Sequence, residues 1–140
     1  MSIKSFIKRP PISLPPTAKL RDVVRAMAEN NVGLIVIVEG DRPVGVVSER
    51  DVIRALARGI GLDADVRAVG TFEGLVEVKL DAPVYDVVKA MRERGIRHVL
   101  VVDDEGRLKG VVSVRDMIED RAIVEAWKHA WPTTDFESPP

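Results

Sequence analysis

Gly45-Val46-Val47-Ser48-Glu49-Arg50-Asp51 recurs as Gly110-Val111-Val112-Ser113-Val114-Arg115-Asp116. Upstream, Leu20-Arg21-Asp22-Val23-Val24-Arg25-Ala26-Met27 is echoed by Val84-Tyr85-Asp86-Val87-Val88-Lys89-Ala90-Met91. The shift is 64 residues from Leu20 to Val84 and 65 from Gly45 to Gly110. One residue is therefore inserted between the two stretches, in a turn, where insertions are tolerated. A doubled unit implies two similar halves packed about a pseudo-two-fold axis. Any cleft at their junction then also comes in two copies.

Each half reads as strand–helix–strand–strand–helix. Leu20, Val23, Val24 and Met27 have the spacing of one buried helical face, and Val84, Val87, Val88 and Met91 repeat it. Thr17 is the expected cap of the first of these helices, with Asp22 near its positive end. Asp81 is the expected cap of the second, with Pro83 in its first turn. Leu34-Ile35-Val36-Ile37-Val38 and Val99-Leu100-Val101-Val102 are continuous branched apolar runs, the mark of strands covered on both faces. Each leads through a polar, Gly-containing turn into a second strand, Val44 to Val47 and Leu108 to Val112, which makes a hairpin. Ser48 and Ser113 then open a helix each.

The predicted organisation is a first repeat over 1–60, a connector over 61–75, a second repeat over 76–122, and a helical extension with a disordered tail over 123–140. Residues 1–16, punctuated by Pro10-Pro11 and Pro15-Pro16, read as extended. The Gly-containing stretch 59–75 reads as loop with one helical turn between Ala64 and Val69. Ile118, Ala122, Ile123, Ala126, Trp127, Ala130 and Trp131 form an apolar stripe at helical spacing.

A chain of 140 residues suffices for one compact domain, whereas halves of roughly 50 residues would be marginal alone and are expected to share a core. With 21 basic and 22 acidic residues the chain lacks the basic field that nucleic-acid binding needs. The absence of cysteine excludes disulfides, thiolate chemistry and cysteine-ligated zinc, and His98 and His129 have no metal-ligand spacing. No signal-peptide pattern or bilayer-spanning run is present, so the expectation is a soluble, cytoplasmic protein without a membrane partner. There is no glutamine, and Asn30 and Asn31 are the only asparagines; with abundant Arg and Glu this hints at a thermophilic source.

Ser-x-Arg-Asp after Gly-apolar-apolar has a plain reading and a functional one. In the plain reading Ser48 caps a helix and Asp51 is a short version of the capping-box acid. Capping does not call for the arginine found at the same offset in both copies. In the functional reading the helix N-terminus offers unpaired N–H groups and partial positive charge to a phosphate. Ser48 and Ser113 bond a phosphate oxygen, and Arg50 and Arg115 pair with it. A carboxylate one turn in, Asp51 or Asp116, accepts bonds from ribose hydroxyls. Phosphate plus ribose suggests a nucleotide.

These features resemble a tandem pair of cystathionine β-synthase (CBS) domains, or Bateman module. The two Gly-Val-Val-Ser-x-Arg-Asp motifs, the segment Gly95 to Asp103 and the order of elements carry the resemblance over roughly residues 10–60 and 75–122. It implies an α/β fold of two β-α-β-β-α repeats related by pseudo-two-fold symmetry. It also implies adenosine-containing ligands (AMP, ADP, ATP or S-adenosylmethionine) held between the repeats, with no required cofactor. The ribose would rest on Asp51 and Asp116, and phosphate on Ser48 and Ser113. Ile12 and Val76, with Leu34 and His98, would line the adenine pocket. One departure is that the Pro-Val pair frequent in the family's second main strand is here Ile35-Val36 and Leu100-Val101, which leaves ligand identity open.

A lone histidine at a strand start is most often a satisfied structural residue. His98 is matched by Leu34 in the other half, so the two pockets cannot be chemically identical. His129 reads as a plain helix residue, and Arg92-Glu93-Arg94 as a solvated helix face. Trp127 and Trp131 are core or interface, and the resemblance favours a homodimer contact. No nucleophile–base pair or Walker loop is present, so an enzyme is the weakest reading. The leading one is an energy-sensing module that regulates an unidentified protein in trans. The alternatives are a structural dimerisation module with vestigial sites and an S-adenosylmethionine-binding module.

Overall fold

The computed structural model describes residues 1–118. The elements of the first half are β1 (Ser13–Leu14), α1 (Leu20–Asn30), β2 (Leu34–Glu39), β3 (Arg42–Ser48) and α2 (Glu49–Ala57). Those of the second are β4 (Glu77–Lys79), α3 (Val84–Arg94), β5 (His98–Val102), β6 (Leu108–Ser113) and α4 (Val114–Ile118). The β-α-β-β-α order expected from the duplication is present twice. The apolar stripe beyond Ile118, with Trp127, His129 and Trp131, lies outside the described residues, as does the expected extension and tail over 123–140.

Each half builds a three-stranded sheet, in the orders β1-β2-β3 and β4-β5-β6. The first strand of each runs parallel to the central strand and the third antiparallel. The registers correspond: Leu34 lies opposite Ser48, and His98 opposite Ser113. Both ladders shift register at the same place, between Ile37 and Val38 and between Val101 and Val102. The extra residue of the second half lies in its hairpin turn. Asp103 organises that turn: its carboxylate accepts the backbone N–H groups of Glu105 and Arg107 at 3.0 and 2.9 Å and the Arg107 guanidinium at 2.7 Å.

The central strands are covered on both faces, as their unbroken apolar runs predict. Ile35 and Ile37 enter one hydrophobic cluster with Leu20, Val23, Val47 and Ala55, while Val36, on the opposite face, is equally buried. Val99 and Val101 enter a second cluster with Val87, Met91 and Val112, and Leu100 is buried on the other side.

Each core is completed by the segment that precedes the other half. Residues 1–16 are not extended throughout: Ile3–Phe6 form a 3-10 turn, because Ile3 and Phe6 are buried in the second cluster. A matching 3-10 turn, Val66–Ala68, puts Val66 and Val69 into the first cluster. These two straps also cap the helices. The Leu20 and Arg21 N–H groups donate to the Ala64 and Leu62 carbonyls, both at 2.9 Å. The Val84 N–H donates to the Met1 carbonyl at 3.0 Å.

The strap carbonyls correct both expected caps. The N-cap of α1 is Lys19, not Thr17; the Lys19 N–H donates to the Asp22 carboxylate at 2.9 Å. That of α3 is Pro83, outside the first turn, and Asp81 is not the cap. A backbone acceptor supplied by a distant segment removes the need for a capping side chain. Val24 and Val88 are a further correction. They lie 36% and 44% exposed, because the sheet-facing stripe of each helix is narrow enough for Leu20 and Val23, or Val87 and Met91, to fill.

Candidate functional site

Ser48 ends β3 in an extended conformation and caps α2. Its Oγ accepts the Asp51 N–H at 3.1 Å, and Asp51 Oδ2 accepts the Ser48 N–H at 2.9 Å. In the second half Ser113 Oγ accepts the Asp116 N–H at 3.2 Å, and Asp116 Oδ2 accepts the Ser113 N–H at 2.8 Å. The Ser113 hydroxyl lies 3.1 Å from the same carboxylate oxygen. The plain reading of the motif is thus realised twice as a reciprocal capping box. It engages only Oδ2 of each aspartate. Among the described residues no group donates to Oδ1 of Asp51 or Asp116, which keeps two lone pairs for another donor.

The sheet brings the other expected residues to these boxes. Leu34 and His98 stand directly across the ladder from the capping serines. Ile12 and Val76 lead into the first strand of each half, their carbonyls accepting the Val36 and Leu100 N–H groups at 3.0 Å. All four side chains are half-buried, as are Ser48, Asp51, Ser113 and Asp116. Arg50 and Arg115 are exposed in the first turn of α2 and α4. Arg50 makes no ion pair among the described residues. The apolar strand starts and the boxes thus come together, while the arginines stand at the solvent edge.

Three features escaped the reading of the motif. Gly45 and Gly110 each lie beneath a side chain from a strap: a Cβ on Gly45 would meet the Phe72 ring at 2.4 Å, and one on Gly110 would meet Ile7 at 2.8 Å. Glu49 donates its N–H to the Gly33 carbonyl at 3.1 Å, and Val114 donates to that of Arg97 at 2.8 Å. The Glu49 carboxylate folds over Gly33, where a Cβ would lie 2.8 Å from Oε1. Aligning the two repeats at 33 with 97 and at 49 with 114, the one variable place inside the heptapeptide, was the signal that could have found the last pair.

Burial holds the His98 pKa below its ordinary value. The carboxylates of Asp116 and Glu49 act to raise it, and the Arg97 guanidinium adds to the lowering. His98 is therefore neutral near pH 7. Glu49 belongs to α2 and His98 to β5, so this group of charges spans both halves.

The family model of the CBS domain matches the chain twice, over residues 3–58 and 66–122. The chain belongs to the CBS-domain family. Its CBS repeats coincide with the two halves described above. A CBS domain protein from Pyrobaculum aerophilum, solved in complex with AMP, is 39% identical with a TM-score of 0.82, covering 92% of this chain and 99% of its own. An uncharacterised conserved protein from Pyrococcus horikoshii is 27% identical with a TM-score of 0.76, covering 84% and 89%. An uncharacterised protein of Methanopyrus kandleri is 32% identical over 121 residues, 85% of this chain. The match spans 62% of that relative's length. Among the described residues no helix of the CBS pair is long and apolar enough to cross a membrane, and no group of acidic or histidine side chains could hold a metal ion.

Proposed function

We propose that this CBS pair is a regulatory module that binds adenine nucleotides (AMP, ADP or ATP) between its repeats and acts on another protein in trans, as an energy sensor does. The observation that carries the reading is its likeness, at 39% identity over nearly the whole chain, to a CBS protein solved with AMP. The site chemistry supports it. Oδ1 of Asp51 and of Asp116 can accept ribose hydroxyls while Oδ2 keeps the cap intact. Ser48 and Ser113 can turn to phosphate, with Arg50 and Arg115 at the rim. Ile12, Leu34, Val76 and His98 offer half-buried surface to a base. The ligand is not consumed, and no cofactor is required. S-adenosylmethionine is the alternative adenosyl ligand.

We take the module to be a cytoplasmic homodimer. Val24, Ile53 and Leu56 on α1 and α2, and Tyr85 and Val88 on α3, are exposed apolar side chains on helices of both halves, the kind of surface a symmetric copy covers. A second reading, a structural dimerisation module with vestigial sites, draws on the two capping boxes, in which each serine and aspartate already has a structural partner.

Titration calorimetry of the purified protein against AMP, ADP, ATP and S-adenosylmethionine separates these readings. Each hydroxyl bond to a carboxylate contributes about 1.5–3 kcal/mol, so the Asp51→Ala, Asp116→Ala double variant is expected to lose micromolar AMP binding while remaining folded. Unchanged AMP affinity in that variant refutes the ribose assignment. Recovery of chemically altered nucleotide would turn the reading toward an enzyme. Light scattering is expected to give twice the 15.4 kDa chain mass with or without ligand; a monomer mass overturns the dimer.

A further inference from the structure

The two halves differ in side chain at positions where their backbones correspond. In each, the residue before the central strand accepts a hydrogen bond from the first residue of the following helix: Gly33 from Glu49, and Arg97 from Val114. The side chains at these matched positions are opposite in character. The first half has no side chain at 33 and a carboxylate at 49; the second has a guanidinium at 97 and an isopropyl group at 114. Glu49, Arg50 and Asp51 carry a formal charge of −1, whereas Arg97, Arg115 and Asp116 carry +1.

We propose that Glu49 sorts ligands by charge, so that the end of the module at Gly33 and Ser48 takes adenosyl ligands with a short or cationic 5′ group and rejects a phosphate chain. The proposal rests on the adenosyl-binding reading and deepens it. Three observations carry it. The Glu49 carboxylate, exposed to solvent, lies beside the strand start and the capping serine and covers Gly33, where a Cβ would come within 2.8 Å of Oε1. Among the described residues no ion pair to the Glu49 carboxylate is formed. At the other end Glu49 is the weakest of the influences on His98, the half-buried neighbour of Ser113 and Asp116, so its charge acts chiefly at its own end. A triphosphate placed there would meet a like charge at close range, which disfavours it, whereas a sulfonium would be attracted.

The test is calorimetry with ATP, AMP and S-adenosylmethionine on the wild-type protein, on Glu49→Gln, and on Glu49→Val, which copies position 114. Wild type is expected to show one strong and one weak ATP site per chain. Both variants are expected to tighten the weak site about tenfold and to weaken S-adenosylmethionine by a similar factor, with AMP moving less. The ATP gain is expected to shrink at high ionic strength. If wild type binds none of the three probes, the adenosyl-binding reading fails and this proposal with it. If wild type binds them and both variants keep its ATP to S-adenosylmethionine preference, the sorting role of Glu49 alone is refuted.

Discussion

At the scale of single residues, the chain places His98 where its twin in the first half is Leu34, and surrounds it with Asp116, Glu49 and Arg97. Burial lowers its pKa in the folded chain, so the unfolded chain takes up the proton first, near 6.5. Its stabilising contribution is complete above that value and is lost as pH falls through the lowered folded pKa. His98→Leu removes this dependence. Between about pH 7.5 and about pH 5 the wild-type melting temperature is expected to fall further than that of the variant. Equal falls would show that the imidazole is not desolvated. Much of the candidate site was legible at this scale. Ser48, Asp51, Ser113 and Asp116 stood out because a heptapeptide recurred, and the strands place Leu34 and His98 beside them. Glu49 and Arg97 were not legible, because attention to what the halves share hides the positions where they diverge.

At the scale of elements, periodicity located the central strands and the helices, since unbroken apolar runs and a 3.6-residue stripe each answer to one kind of burial. It failed at helix starts. Thr17 and Asp81 have the right chemistry for caps, but backbone carbonyls from Leu62, Ala64 and Met1 arrive from far along the chain, and no local pattern announces them. The same straps explain the two strand glycines. Gly45 and Gly110 admit Phe72 and Ile7 against bare backbone, and the two contacts differ in how far they can yield. Gly45→Ala drives a methyl against the flat side of a ring, at an expected cost of about 1–3 kcal/mol. Gly110→Ala meets an isoleucine side chain that can rotate, so its cost is expected to be smaller. Urea denaturation of the two variants measures the difference. A larger loss for Gly110→Ala would mean that Ile7 is the more rigid of the two.

At the scale of the whole molecule, the duplication predicts two equivalent halves, and the sheets comply down to matching register shifts. What it does not predict is which piece of chain belongs to which core. Ile3 and Phe6 complete the second core, and Val66 and Val69 the first. A cut at the apparent boundary near residue 60 therefore leaves each piece with the other's missing part. Neither fragment, 1–60 or 61–140, carries a whole core, and each is expected to be largely unfolded alone by circular dichroism. Mixed in equal amounts, the pieces are expected to reassemble by complementation, because strap and core attract each other without a peptide bond between them. A folded 1–60 fragment on its own would refute this. Fusing two copies of one repeat is then no mere lengthening: it converts a reciprocal exchange of ends, which separate chains could make only at sufficient concentration, into an intramolecular one.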